Sequence, residues 1–279
     1  MVGQVLFIVW RESVEALLVV GILNAWMNQN PEGRAGKPWL WGGIVLGLLM
    51  AVLLAVLLFT ADSVFGLSQD VFQTIMVFVA AALIVQMVFW MRRHGRTLKK
   101  ELESGLAQNA ESANWWGVTV LAAIAIAREG SETVVFLYGM LGSASGSTLL
   151  HMSGAALVGL LLAGLSFYIL QLGGKVLSWR LFFRITEVML LLLGAALFMT
   201  GIDHLISMGI LPTLVDPVWD SSFLLDDMSR AGGVIASLTG YRAQPALSGL
   251  LAYALYWVVV LGLLRRGPVQ RQPQVKVAA

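Results

Sequence analysis

Two five-residue phrases carry the chemistry of this chain: Arg11-Glu12-Ser13-Val14-Glu15 and Arg128-Glu129-Gly130-Ser131-Glu132. Both read Arg-Glu-x-x-Glu, and both interrupt apolar runs long enough to cross a bilayer. A charge at the centre of an inserted helix costs roughly 2.5–3.5 kcal/mol, so charges at two matched places point to function. Glu12 and Glu15 are three residues apart, as are Glu129 and Glu132, so on a helix each pair shares a face. Arg11 and Arg128 each stand four residues before the second glutamate and reach it one turn on. If the two helices pack face to face, four carboxylates converge against two guanidinium groups. In a dry, empty site such carboxylates are paired with arginine or protonated until a cation arrives. Carboxylate oxygens suit hard cations. The set disfavours anions and large apolar substrates. Gly130, Ser131 and Ser13 are small enough to admit close approach of the two helices.

Three readings follow from these residues. One is a metal-cation permease. Another is a proton-coupled carrier of another divalent cation or small solute, with the glutamates as a proton relay. The last is a structural core in which Arg–Glu pairs fix helix packing. An enzyme is not expected, nor a permanently bound cofactor. There is no cysteine, and His94, His151 and His204 lack the spacing of a zinc triad. The methionines, Met87, Met189 and Met199 among them, read as packing.

The elements that must position these groups are membrane helices. The chain has 279 residues, 58% hydrophobic and 12% charged, with mean hydropathy +0.81. A soluble domain carries about 25% charged residues. The fold class expected is all-α: a polytopic membrane protein forming a single membrane domain. Its basic residues sit in connections, so the chain does not read as a nucleic-acid binder. Absence of cysteine excludes disulfides and thiolate metal sites. The start lacks a basic residue ahead of its apolar run and reads as the first half of a retained helix. Seven spans are predicted at 2–27, 39–60, 71–91, 115–141, 149–172, 181–204 and 246–264, each near the ~20 residues a bilayer core requires.

Lys and Arg alternate across the connections. The first, third and fifth hold two, five and two, and the tail holds four; the second and fourth hold none and the long sixth holds two. By the positive-inside rule the N-terminus faces out and the C-terminus in. The 92–114 connection carries Leu98, Leu102 and Leu106 at helical spacing. It reads as a cytoplasmic amphipathic helix, either lying on the inner leaflet or packed on neighbouring spans. The extracytoplasmic 205–245 connection holds Asp216, Asp220, Asp226 and Asp227, which collect cations or serve as turn formers. The tail is 265–279.

The phrases are 117 residues apart. That offset, applied without gaps, sets Gly42 on Gly159, Gly47 on Gly164, Asp70 on Glu187 and Gln86 on Asp203. Residues 1–91 and 115–204 thus read as two three-helix repeats. An odd number of spans inverts the second copy, as in many secondary transporters. Asp70 and Glu187 then fall at opposite mouths and are candidate relay acids, with Asp203 and His204 as further candidates. The competing assignment makes Asp70 a helix cap and pairs Glu187 with Arg184.

Two Arg-Glu-x-x-Glu phrases in spans one and four of seven, with the N-terminus outside, resemble the high-affinity iron permeases. That family includes fungal oxidase-coupled permeases and bacterial Efe-type ferrous iron permeases. Further stretches carry the likeness: Met87-Val88-Phe89-Trp90-Met91-Arg92, Ala127-Arg128-Glu129-Gly130, Trp219-Asp220-Ser221, Gly240-Tyr241, Pro245 and Tyr253-Ala254-Leu255-Tyr256-Trp257. The resemblance implies an inner (plasma) membrane permease importing iron, Fe(II) or Fe(III), as its transported substrate. It implies that Glu12, Glu15, Glu129 and Glu132 bind the metal with Arg11 and Arg128 in support. It also implies an extracytoplasmic partner for iron redox chemistry or delivery. Where bacterial members often carry His-Glu after span six, this chain has Ile206-Ser207, with His204 nearby.

Overall fold

The computed structural model describes residues 2–65, 69–94, 97–112, 114–141, 146–171 and 179–265. The predicted tail beyond Arg265 lies outside the described residues. Among those described there is no strand. The long helices are α1 (Val2–Gln29), α2 (Lys37–Phe65), α3 (Gln69–His94), α5 (Trp115–Leu141), α6 (Gly146–Gln171), α7 (Trp179–Ser207) and α9 (Leu247–Arg265). A 3-10 turn, Pro31–Gly36, joins α1 to α2; two shorter helices are α4 (Leu98–Glu111) and α8 (Arg230–Thr239). By length and composition five of them, α2, α3, α6, α7 and α9, can cross a membrane. The two remaining long helices, α1 and α5, are 28 and 27 residues long and carry the charged phrases.

α2 packs along α5, α1 along α6, and α3 along α7, while α1 and α5 meet in the middle. Glycines permit the first two contacts. A β-carbon on Gly43 would lie 2.4 Å from the Thr119 carbonyl oxygen, and one on Gly47 would lie 2.8 Å from that of Ala123. On the other pair, a β-carbon on Gly159 would lie 2.8 Å from the Leu6 carbonyl oxygen. The far faces of α2 and α6 are apolar and exposed, with Leu49, Leu53, Leu157 and Leu161 pointing outward. Such a face suits hydrocarbon.

α4 does not lie away from the bundle. Leu102 and Leu106 are buried against Val19, Leu23 and Met27 of α1 and Val118 and Ala122 of α5. Two leucines spaced about one turn apart thus pack α4 on its neighbouring helices. The side chain of Leu98 lies outside the described residues. The 205–245 segment contains a helix that composition hides, because Gly232 and Gly233 sit inside it. α8 is set by its ends: the Ser229 hydroxyl accepts from the Gly232 N–H at 3.0 Å, and Gly240 closes it in the left-handed region at φ 76°. Two of the loop aspartates, Asp220 and Asp226, act as turn formers. Asp220 accepts from the Ser222 hydroxyl at 2.5 Å, the Ser222 N–H at 2.9 Å and the Gln244 amide at 3.0 Å. Those bonds, the Ser222 hydroxyl foremost, hold its pKa below the ordinary carboxylate value. Asp226 accepts from the Met228 N–H at 2.9 Å.

Candidate metal centre

Arg11 is fully buried, and Glu12 and Glu15 are buried beside it. One guanidinium nitrogen donates to Glu12 at 2.6 Å; the other donates to Glu15. The two nitrogens also meet the thioethers of Met87 and Met91, one turn apart on α3. On α5 the Arg128 Nε donates to Glu132 at 3.2 Å and lies 3.8 Å from Glu129. The Arg128 guanidinium carbon stands 3.4 Å from the centre of the Trp90 ring.

The two phrases therefore meet where α1 packs on α5. Oxygens of Glu12, Glu15 and Glu129 all lie within 4.8 Å of one another. Hard cations sit about 2.0–2.6 Å from oxygen ligands, so carboxylates across an ion are about 4–5 Å apart. One oxygen each of Glu12, Glu129 and Glu132 is buried without a hydrogen-bond partner. Buried carboxylate oxygens normally find a donor. The set thus fits a cation. Three of the four expected carboxylates form the close group. Glu132 stays outside the close trio, tied to Arg128. Gly130 also departs from expectation. Its β-carbon would lie 2.6 Å from that of Ala51, so it admits α2 and not α1.

Apolar clusters flank the centre along both helices. On α1, Val5, Phe7 and Ile8 lie on one side and Val19, Leu23 and Met27 on the other. On α5, Phe136 and Met140 lie on one side and Val118 and Ala122 on the other. Glu12, Glu15 and Glu129 sit buried in a short polar layer between these clusters.

The relay candidates lie apart from this layer. Asp70 is exposed in the first turn of α3, and its carbonyl accepts from the Thr74 hydroxyl at 2.7 Å. That hydroxyl is 3.4 Å from His204 Nδ1. Asp203 accepts from Arg242 Nη2 at 2.6 Å and Nε at 3.1 Å. At the other end of the α3–α7 pair, Glu187 is bound by Arg92 rather than Arg184. The closer partner comes from the facing helix, which sequence spacing within α7 could not reveal. The Arg242–Asp203 pair is partly solvated, and such pairs are worth about 0.2–1 kcal/mol. Arg242→Gln should therefore lower unfolding free energy in detergent by no more than about 1 kcal/mol. A larger loss would make the pair a structural tie of the 205–245 segment.

Residues 1–266 match the Iron permease FTR1 family. The chain belongs to the iron permease FTR1 family. Relatives include the ferrous iron permease EfeU of Yersinia pestis, 26% identical over 266 residues covering 91% of this chain and 90% of the relative. The ferrous iron permease EfeU of Escherichia coli O6:H1 is 26% identical over 260 residues, covering 91% and 92%. No solved structure matches the chain. Membership of an iron permease family, with five helices suited to spanning, makes this a multi-pass plasma-membrane protein of iron transport. The residues that sequence reasoning undervalued are Met87, Trp90 and Met91. Their positions on α3, at i, i+3 and i+4, were the available signal.

Proposed function

We propose that the chain imports iron across the plasma membrane through a carboxylate site shared by α1 and α5. One membrane domain crosses the bilayer seven times, through α1, α2, α3, α5, α6, α7 and α9. It is built as two inverted three-helix repeats plus a seventh helix, with the N-terminus outside and the C-terminus inside. The observation that carries the reading is the convergence of Glu12, Glu15 and Glu129, together with the buried oxygens of Glu12 and Glu129 that have no donor. Iron is the substrate, and the apolar clusters on either side occlude it during passage. Asp70, Asp203 and His204 at the outer end, and Glu187 at the inner end, are the candidate relay groups of that path. An extracytoplasmic partner that delivers iron or sets its oxidation state belongs to the same reading.

Helix packing supports the repeat. Gly47 approaches Ala123 O and Ala127 N, and Gly159 approaches Leu6 O and Trp10 N. Leu6 and Trp10 stand 117 residues before Ala123 and Ala127, the offset of the phrases themselves. Gly47 is thus the counterpart of Gly159, not of Gly164. The chain is five residues longer from Arg11 to Gly47 than from Arg128 to Gly159, so a gap-free offset slips after the first helix of the repeat.

Radio-iron uptake into proteoliposomes tests the proposal, for wild type and for Glu12→Gln, Glu15→Gln, Glu129→Gln and Glu132→Gln. Each is measured with reductant or with oxidant present. Loss of a supporting contact alone lowers metal affinity or activity about 10–100-fold. Loss of a ligand should cost at least as much. Normal uptake by all four variants would end the permease reading. Uptake of another solute that tracks a proton gradient without any metal would replace it with the proton-coupled carrier.

A further inference from the structure

The two arginines of the matched phrases are held in different ways. Arg11 is fully buried, and each of its terminal nitrogens meets one carboxylate and one thioether. Each such nitrogen carries two hydrogens, so both are directed. Arg11 is a fixed fork. The Arg128 side chain is 30% exposed and binds Glu132 through Nε, with its guanidinium carbon over the Trp90 ring. Both arginines are received by one face of α3, formed by Met87, Trp90 and Met91. For Arg11 the face offers directional acceptors. For Arg128 it offers an aromatic surface, which attracts a cation without fixing where along the ring it sits.

Glu132 has the complementary status. One of its oxygens is tied to Arg128 and the other is buried with no donor. It stands outside the trio of Glu12, Glu15 and Glu129. We propose that Arg128 is the exchangeable counter-ion of the carboxylate site and Trp90 is its parking surface, a positioning residue for iron capture. An arriving Fe(II) repels the neighbouring guanidinium and attracts Glu132. Arg128, already on the indole face, lets go of the carboxylate and stays on the ring, and Glu132 is released to join the other three. When the ion leaves, Arg128 returns to Glu132 and restores charge balance. Once Glu132 has left, the indole face is the contact that remains to the guanidinium, so it matters more after the exchange than before it and an electron-rich face strengthens capture.

This rests on the carboxylate-site reading, and the test separates the two. Fluorinated tryptophans placed at position 90 by nonsense suppression keep the indole shape while draining charge from its face. Uptake of Fe(II), kept reduced with ascorbate, is measured in proteoliposomes carrying tryptophan, monofluoro-, difluoro- or trifluorotryptophan at that position. The KM for Fe(II) should rise stepwise with fluorine number, reaching roughly three- to tenfold, the range of a partly exposed cation–π contact. The maximal rate should hold. Trp90→Phe should stay nearer to wild type than Trp90→Leu, since it retains an aromatic face. A flat fluorination series overturns the proposal, as do equal KM defects in Trp90→Phe and Trp90→Leu, because a packing role has no need of ring charge. Glu12→Gln is measured alongside. If it abolishes uptake while the fluorination series is flat, only the role of Trp90 falls; if it transports normally, the carboxylate site itself falls.

Discussion

Arg11→Leu should leave little folded protein. Arg11 is fully buried and bonded to both Glu12 and Glu15, so the substitution strips two buried carboxylates of their counter-charge in one step. Removing one partner from a buried ion pair costs about 3–5 kcal/mol, because the remaining charge is left uncompensated. Thermal unfolding of the detergent-solubilised protein reads the loss directly. A companion variant shows that the cause is charge and not volume. Arg11→Leu combined with Glu12→Gln and Glu15→Gln removes the uncompensated carboxylates and should regain most of the lost stability, while iron uptake stays absent. Arg128→Leu should be milder, since its side chain is 30% exposed and its carboxylate contacts are longer. Equal destabilisation by Arg11→Leu and Arg128→Leu would contradict the distinction between a fixed and an exchangeable arginine.

The second large effect concerns adjacent glycines that sequence cannot rank. Gly43→Ala should destabilise the protein by about 1–3 kcal/mol, the usual cost of overpacking. Its new β-carbon would meet the Thr119 carbonyl oxygen at 2.4 Å and the Ala122 β-carbon at 2.8 Å. A backbone carbonyl cannot rotate aside, so α2 must move off α5. That movement disturbs the neighbouring crossing where Gly130 meets Ala51, one residue from Glu129. Iron uptake should fall with stability. Gly42→Ala, one position away, meets nothing within 4 Å. There the helix propensity of alanine over glycine should dominate and stabilise by up to about 1 kcal/mol. Unfolding midpoints of the two variants should move in opposite directions. A shared direction would mean that the α2–α5 crossing is not as close as described.

Much of the site was legible in the one-dimensional pattern. A helix fixes which residues share a face, so Glu12 with Glu15, and Arg11 with Glu15, followed from spacing alone. The cost of charge in an apolar run made the phrases conspicuous, and their repetition implied that two helices contribute to one centre. In the proposed repeat the glycine register is less legible, because an insertion between helices costs little and a gap-free offset carries it into every later match.

By itself, then, the sequence determined the helical class, the apolar spans and the identity of the charged groups that meet between α1 and α5. These depend on local periodicity and on the cost of burying charge, which composition and spacing express directly. Only the tertiary structure decided how the two Arg-Glu-x-x-Glu phrases differ. The phrases share their pattern, yet Met87 and Met91 lock Arg11 while Trp90 receives Arg128, and Glu132 stays outside the trio that Glu129 joins. Those distinctions come from α3, tens of residues away along the chain from both phrases. A contact between distant helices is set by the packing of whole faces, and no local spacing records it.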